Sequence, residues 1–298
     1  MKLRAPLQAE QPQDIREVCG LSPNIYVDQT AFEAEKRTVF QDRWCSIGFE
    51  SDILSPGDLK PIEFLGQPLL LARTFDGDVK VYHNACPHRG THLISEECNK
   101  KLIVCPYHAW SFELNGNLRK APHYEQADPA TFSLKPVRSH VWAGTVFINF
   151  SGKAEPFEKI LEPLVSRWRE HDFSLLQPGG ELTYDFASNW KLIAENFLEC
   201  YHVPSVHPRL AQYSKFSDRY PIHFAEEYIG QGSRRYQPSV TKKELPRWPN
   251  VSVEQEFQAE YVALFPNTLI GRMPDHVFVW SLEPLSPART IEHLRFFS

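Results

Sequence analysis

Cys86-Pro87-His88-Arg89-Gly90 and, after a spacer through Val104, Cys105-Pro106-Tyr107-His108 decide how the rest of the chain is read. Each segment offers one thiol and one imidazole. Thiolate is a soft ligand suited to iron or zinc, and imidazole suits both metals. A structural zinc takes all four donors at one ion. A 2Fe–2S cluster can instead take two thiolates at one iron and two imidazoles at the other. The spacing favours the cluster, because each loop supplies one Cys and one His. Zinc fingers usually pair Cys with Cys and His with His. Pro87 and Pro106 each follow a cysteine and stiffen the loop that holds the ligand.

The whole chain sets the frame. Its 298 residues suit one or two domains, and 42% hydrophobic with 13% aromatic residues supply a sizeable core. A net charge of −5 argues against nucleic acid or an anionic membrane as partner. No apolar run reaches membrane-spanning length. Met1 to Pro6 has no apolar signal core, so a cytoplasmic protein is expected. Cys19, Cys45, Cys98 and Cys200 show no paired spacing and are expected as free thiols.

Residues 1–42 read as a polar arm followed by a short helix from Thr30 to Phe40, with Thr30 and Glu33 as a capping box. Residues 43–155 read as a small β domain. Its strands are Trp44 to Phe49, Asp58 to Phe64, Gln67 to Arg73, Val79 to Tyr82 and, last, Trp142 to Phe150. The two ligand loops are expected at hairpin tips. Residues 156–298 form the next unit. Phe157, Ile160, Leu161, Leu164, Val165 and Trp168 recur at helical spacing. Pro178-Gly179-Gly180 closes a linker, and strands follow at Glu181 to Ala187, Tyr261 to Ile270, Val277 to Pro284 and Thr290 to Phe297.

A second set of metal donors lies in Asn189-Trp190-Lys191-Leu192-Ile193-Ala194-Glu195-Asn196-Phe197-Leu198-Glu199-Cys200-Tyr201-His202, read as a helix capped by Ser188 or Asn189. Leu192, Ile193, Phe197 and Leu198 form one face, and Glu199 and His202 share another. Pro204 ends the helix and turns the chain towards His207. Two imidazoles and a carboxylate with open positions describe a non-haem Fe(II) site. Ordinary surface or core histidines remain the competing reading.

The first stretch, continued by Tyr107-His108-Ala109-Trp110 and Asn115-Gly116, resembles the Rieske family, with Ala109 where Gly is commoner. The extra cysteines of respiratory Rieske proteins are absent, which resembles the oxygenase or ferredoxin type. The second stretch is similar to the mononuclear-iron motif of Rieske oxygenase α subunits. The resemblance spans the chain from about Phe32 onward. It implies that Cys86, His88, Cys105 and His108 hold a 2Fe–2S cluster and that His202 and His207 hold a mononuclear Fe(II). Glu199 then carries electrons between subunits of a homotrimer. A Glu at that position resembles the branch acting on quaternary ammonium compounds, whereas aromatic-ring dioxygenases mostly have Asp.

The implied fold is α+β: an antiparallel β Rieske domain and a helix-grip domain, a curved antiparallel sheet around a helix. The implied function is a terminal oxygenase that takes electrons from NAD(P)H through a reductase or ferredoxin and uses O2 to hydroxylate or N-dealkylate a small substrate. Tyr228, Tyr236, Trp248, Phe257 and Tyr261 are candidates for a cation–π cage, with core packing as the competing role. The family's third iron ligand is a downstream Asp on a helix. Asp275, Glu283 and Glu292 are the carboxylates in reach and none has that context: Asp275 belongs to a turn, and Glu283 and Glu292 are expected to face solvent. The chain ends at Ser298 within a strand, so a C-terminally incomplete catalytic domain is expected. Two other readings compete: an aromatic-ring dioxygenase, and an electron carrier with a non-functional second iron site.

Overall fold

The computed structural model describes residues 20–224, 228–236 and 245–298. Cys19 and most of the expected N-terminal arm lie outside them. The first described helix, Gln29–Glu35, is capped by Asp28, whose carboxylate accepts from the Ala31 N–H at 2.7 Å. The expected Thr30 cap is thus displaced by the earlier and stronger acceptor. A π-helical turn, Lys36–Phe40, continues it.

Three small antiparallel sheets follow. One orders Val79–His83, Gln67–Arg73, Asp58–Phe64 and Cys98–Asn99. A second orders Ile103–Val104, Ser111–Phe112 and Leu118–Lys120. The third orders Cys45–Phe49, Thr145–Asn149 and Arg138–Trp142. The last expected strand, Trp142 to Phe150, is therefore two strands. Ala143 and Gly144 sit between them at φ 49° and 69°, the left-handed geometry of a tight hairpin turn. A Cβ on Gly144 would come within 2.6 Å of the Phe297 ring, so the turn needs glycine for space as well as for φ.

Helix Phe157–Arg167 then packs Phe157, Leu161 and Leu164 inward, while Val165 is exposed. It lies against a seven-stranded antiparallel sheet ordered Pro178–Phe186, Arg289–Phe297, Val277–Ser286, Thr268–Arg272, Ala259–Leu264, Tyr228–Ser233 and Arg219–Phe224. Pro178, Gly179 and Gly180 belong to the edge strand, entering through a bulge, and are not a linker. The two faces of this sheet carry different cores. Val262, Leu264, Ile270, Val277 and Val279 pack with Trp44, Phe147, Phe157 and Trp168. Ala263, Leu269 and Leu282 pack against Ile193, Ala194, Phe197 and Leu198 of helix Trp190–Leu198. The helix thus lies on one face of the sheet, as the helix-grip reading requires.

A buried polar network ties helix Phe157–Arg167 to the sheet. Glu260 is 2% exposed and accepts from Arg167 Nη2 at 2.6 Å, Trp168 Nε1 at 2.5 Å and Tyr220 O–H at 2.6 Å. Burial raises its pKa, but these donors and the Arg272 charge outweigh burial and hold the carboxyl at about 2. Cys45, Cys98 and Cys200 are free thiols, and burial pushes the Cys45 thiol up. Among the described residues no helix is long and apolar enough to cross a membrane.

Candidate metal centres

The first ligand loop runs between Val79–His83 and Cys98–Asn99, strands that are not paired with one another, so it is not the tip of a hairpin. The second does cap a hairpin, between Ile103–Val104 and Ser111–Phe112. Turns fold each loop back on itself: the Gly90 N–H donates to Cys86 O at 2.8 Å, and the Ala109 N–H donates to Cys105 O at 3.1 Å. Ala109 takes φ 57°, which accounts for glycine being favoured there.

Asn84, 2% exposed, stitches the first loop in place. Its amide donates to Ile94 O at 2.7 Å and accepts from the Leu93 and Ile94 N–H groups at 3.2 and 3.1 Å. Sequence reading missed this residue; an Asn two positions before a ligand cysteine was the available signal.

Both sulfurs are buried, and burial with the neighbouring Cys105 sulfur pushes the Cys86 thiol up. The backbone N–H groups of His88 and Arg89, directed at the Cys86 sulfur, oppose this. The imidazoles of His88 and His108 lie 4.8 Å apart. His88 stacks on buried Trp110 at 4.6 Å and 3° between planes, and Trp110 stacks in turn on Tyr124 at 5.9 Å. His108 rests at 3.8 Å on Tyr107, which is 62% exposed. Burial first, then the His108 and Arg89 charges, lower the pKa of His88, the direction that suits a candidate metal ligand. Among the described residues no three His, Cys, Asp or Glu side chains are arranged about a single ion. Two buried thiols and two facing imidazoles instead form separate pairs, a donor set that fits a two-iron cluster.

Asn189-Trp190-Lys191 anchors the second set. The Asn189 side chain accepts from the Lys191 N–H at 3.0 Å, capping the helix, and donates to Tyr26 O and Pro287 O, each at 2.9 Å. Trp190 Nε1 and Lys191 Nζ both donate to Glu35, at 3.0 and 2.6 Å. The helix, however, ends at Leu198, short of the expected His202. Glu199 is extended, and its carboxylate accepts from the backbone N–H groups of Tyr201 at 2.5 Å and His202 at 3.2 Å. A side chain that satisfies the next turn competes with helix continuation. Leu192 is exposed and off the packed face.

Glu199 and His202 meet nonetheless, since the same carboxylate contacts His202 Nδ1. Partial burial raises the Glu199 pKa, but the His202 and Tyr201 donors outweigh it and hold the carboxyl below the usual range. With Nδ1 bound to Glu199, His202 Nε2 is left for a metal. His207, between the turns Val203–Val206 and Pro208–Tyr213, places its ring 5.2 Å from that of His202.

None of the three downstream carboxylates joins this pair in a group that could hold a metal. Asp275 contacts His276 at 2.7 Å. Glu283 contacts His293 at 3.0 Å rather than solvent alone. Glu292 is 1% exposed, contrary to expectation, and burial pushes its carboxyl up to about 7. The expected cage also divides. Tyr228 and Trp248 belong to the core shared with Phe157, and Tyr236 accompanies Tyr213. Phe257 lies under Arg247. Only Tyr261 is on the helix side, where Phe197 meets Tyr261, Phe278 and Trp280 at 5.8, 6.5 and 6.2 Å.

Residues 43–139 match the Rieske [2Fe-2S] domain, and residues 173–298 match the ring hydroxylating alpha subunit (catalytic domain). The carnitine monooxygenase oxygenase subunit of Escherichia coli (strain K12) is 37% identical over 214 residues, which are 69% of this chain and 56% of that protein. The glycine betaine monooxygenase oxygenase subunit of Pseudomonas aeruginosa (strain UCBPP-PA14) is 32% identical over 194 residues, 64% of this chain and 45% of that protein. The chain thus spans about half the length of these relatives. Among solved structures, the quaternary ammonium Rieske monooxygenase CntA in complex with L-carnitine superposes with a TM-score of 0.75 at 25% identity, over 92% of this chain and 74% of that one. Naphthalene 1,2-dioxygenase from Rhodococcus sp. gives 0.74 at 22% identity, over 92% and 72%, and shares the fold.

Proposed function

This chain belongs to the family of Rieske non-haem iron oxygenase α subunits, and from that premise we propose that it is the terminal component of an oxygenase acting on a small quaternary ammonium compound. Cys86, His88, Cys105 and His108 would hold the 2Fe–2S cluster, and His202 with His207 the mononuclear Fe(II). When bound, the cluster and the iron supply one-electron transfer and O2 activation. The chain's own residues do the rest. Trp110 fixes the His88 plane, and exposed His108 presents the cluster edge to a partner. Glu199 keeps the proton on His202 Nδ1 and frees Nε2. Phe197, Tyr261, Phe278 and Trp280 offer ring faces to a cation.

Electrons would come from NAD(P)H through a reductase or ferredoxin, and a homotrimer would bring the cluster of one subunit to Glu199 of the next. We place the protein in the cytoplasm, a reducing compartment that would keep Cys45, Cys98 and Cys200 as thiols. We place the functional division at residues 43–155 and 156–298.

The observation that carries this reading is the Glu199–His202 contact beside His207: a carboxylate-oriented imidazole next to a second imidazole is a metal-ligand arrangement. The test is turnover of the iron- and sulfide-loaded protein with a reductase, NAD(P)H and a panel of betaines and aromatics. Aldehyde release from a betaine supports it, and coupled turnover only with ring dihydroxylation overturns the substrate class. The absence of a third described carboxylate at His202 and His207 favours, as second reading, a Rieske electron carrier. Cluster reduction with no substrate oxidation would select it.

A further inference from the structure

Tyr220, Gly232 and Glu260 stand in register on three neighbouring strands, Arg219–Phe224, Tyr228–Ser233 and Ala259–Leu264. The Tyr220 ring crosses the middle strand to place its O–H on Glu260 at 2.6 Å. Only glycine allows this crossing, because a Cβ on Gly232 would run into the ring. The ring packs with the core under helix Phe157–Arg167, on the sheet face opposite helix Trp190–Leu198. A cavity of about 440 Å³ opens beside it. That is within the size of small-molecule sites, on the order of 300–1,000 Å³.

Two guanidinium groups flank the ring. Arg234 lies 5.1 Å from its centroid and Arg167 6.0 Å, and both line the cavity. Glu260 is the one acid in the described wall, and both its oxygens are engaged, by Arg167, Trp168 and Tyr220. Behind it Arg272, fully buried, lies 3.7 Å from the same carboxylate. One negative charge thus stands among three positive ones. Arg169 also lines the cavity, but Asp172, three residues on, offsets it.

The other acids nearby in the chain do not cancel this excess. Arg234 is exposed and makes no ion pair among the described residues; Asp218 meets its backbone N–H through a carbonyl, at 3.0 Å. Glu256 pairs with Arg247 at 2.7 Å, and the Glu170 carboxylate accepts from the Ser252 N–H at 2.8 Å. The end of helix Phe157–Arg167 adds roughly half a negative charge, less than the excess. A guanidinium fork pairs with two oxygens of a phosphate at once, and a phosphate dianion matches an excess of two. Gln255 and Gln258 bring amide donors to the same cavity.

We propose that this cavity binds a small phosphomonoester, its phosphate drawn by Arg234 with Arg167 and Arg272 behind. This rests on neither iron site. Glycerol 3-phosphate is titrated into the iron-loaded protein in chloride buffer, with binding followed by calorimetry. Saturable one-site binding is expected, weakened at least tenfold by Arg234→Gln. It is unchanged by His202→Ala and by Arg289→Gln, which removes the same charge near the opposite edge of the sheet. Acetate, a monoanion, and inorganic phosphate, which leaves the cavity unfilled, each bind at least tenfold more weakly. Absence of saturation at millimolar glycerol 3-phosphate overturns the proposal. So does binding that survives Arg234→Gln, or an equal loss in Arg289→Gln, which would mean general charge attraction. Loss in His202→Ala would put the phosphate at the second iron site, and equal affinity for inorganic phosphate would make this a site for the free ion; either result overturns it.

Discussion

The Glu199 carboxylate grips His202 twice, at ring Nδ1 and, 3.2 Å away, at its backbone N–H. The carboxylate therefore sets both the tautomer of the imidazole and the turn that carries it. Helix Trp190–Leu198 stops one residue earlier for the same reason. One side chain links the end of a helix to the orientation of a candidate metal donor.

Replacing that side chain should loosen the mononuclear site. Glu199→Ala is expected to weaken Fe(II) binding about 10- to 100-fold, the usual cost of losing such a partner. Iron titration of the apo-protein would measure it, with the cluster's visible spectrum as control. Unchanged affinity would assign Glu199 to electron transfer alone.

Cys105→Ser should abolish the visible absorption of the cluster and its rhombic resonance on reduction, because a hydroxyl does not replace the thiolate that would ligate the iron. Iron analysis of the unaltered chain is expected to give about two tightly held irons per chain, both from the cluster. A third tightly held iron would show that His202 and His207 had found another ligand.

Glu260→Gln leaves Arg272, fully buried, and Arg167 without their counter-charge. Stability should fall by about 3–5 kcal/mol in urea denaturation at neutral pH. The unaltered protein should weaken in acid for the same reason. A carboxyl held at about 2 contributes stability above its ordinary pKa of 4.5, and that contribution is lost as pH falls from there towards 2.

Glu292 acts in the opposite sense. Its folded pKa, about 7, is above the ordinary 4.5, so its contribution is complete in acid and disappears as pH rises through that interval. Glu292→Gln should therefore gain on the order of 3 kcal/mol relative to the unaltered protein at pH 8. At pH 4 the two should be equal. Parallel stability curves across this range would show that the Glu292 carboxyl is already ionised in the folded state.

What the sequence revealed follows the range of each interaction. The candidate cluster ligands could be picked out because Cys86, His88, Cys105 and His108 lie in two short segments whose spacing fits that chemistry. The strands Asp58–Phe64 and Gln67–Arg73 were legible from alternation and turn residues. The hairpin at Ala143-Gly144 was hidden because alanine gives no sign that it will take positive φ. The end of the second-site helix was hidden because Glu199 and His202 have helical spacing while the carboxylate spends itself on the following turn. The burial of Glu292 and the contact between Arg167 and Glu260, 93 residues apart, depend on which strands become neighbours. No local pattern encodes that.

One junction bears on how the cluster meets anything at all. Asn267 accepts from the Ser46 N–H at 3.0 Å and donates to Ser46 O at 2.8 Å, and Ser46 donates to Ser281 at 2.8 Å, all buried. An amide from the large sheet is thus spliced into the backbone of the cluster half as if it were another strand. These buried bonds fix the Rieske half to the large sheet at this seam, so a cluster held there would sit in a body anchored to the catalytic half.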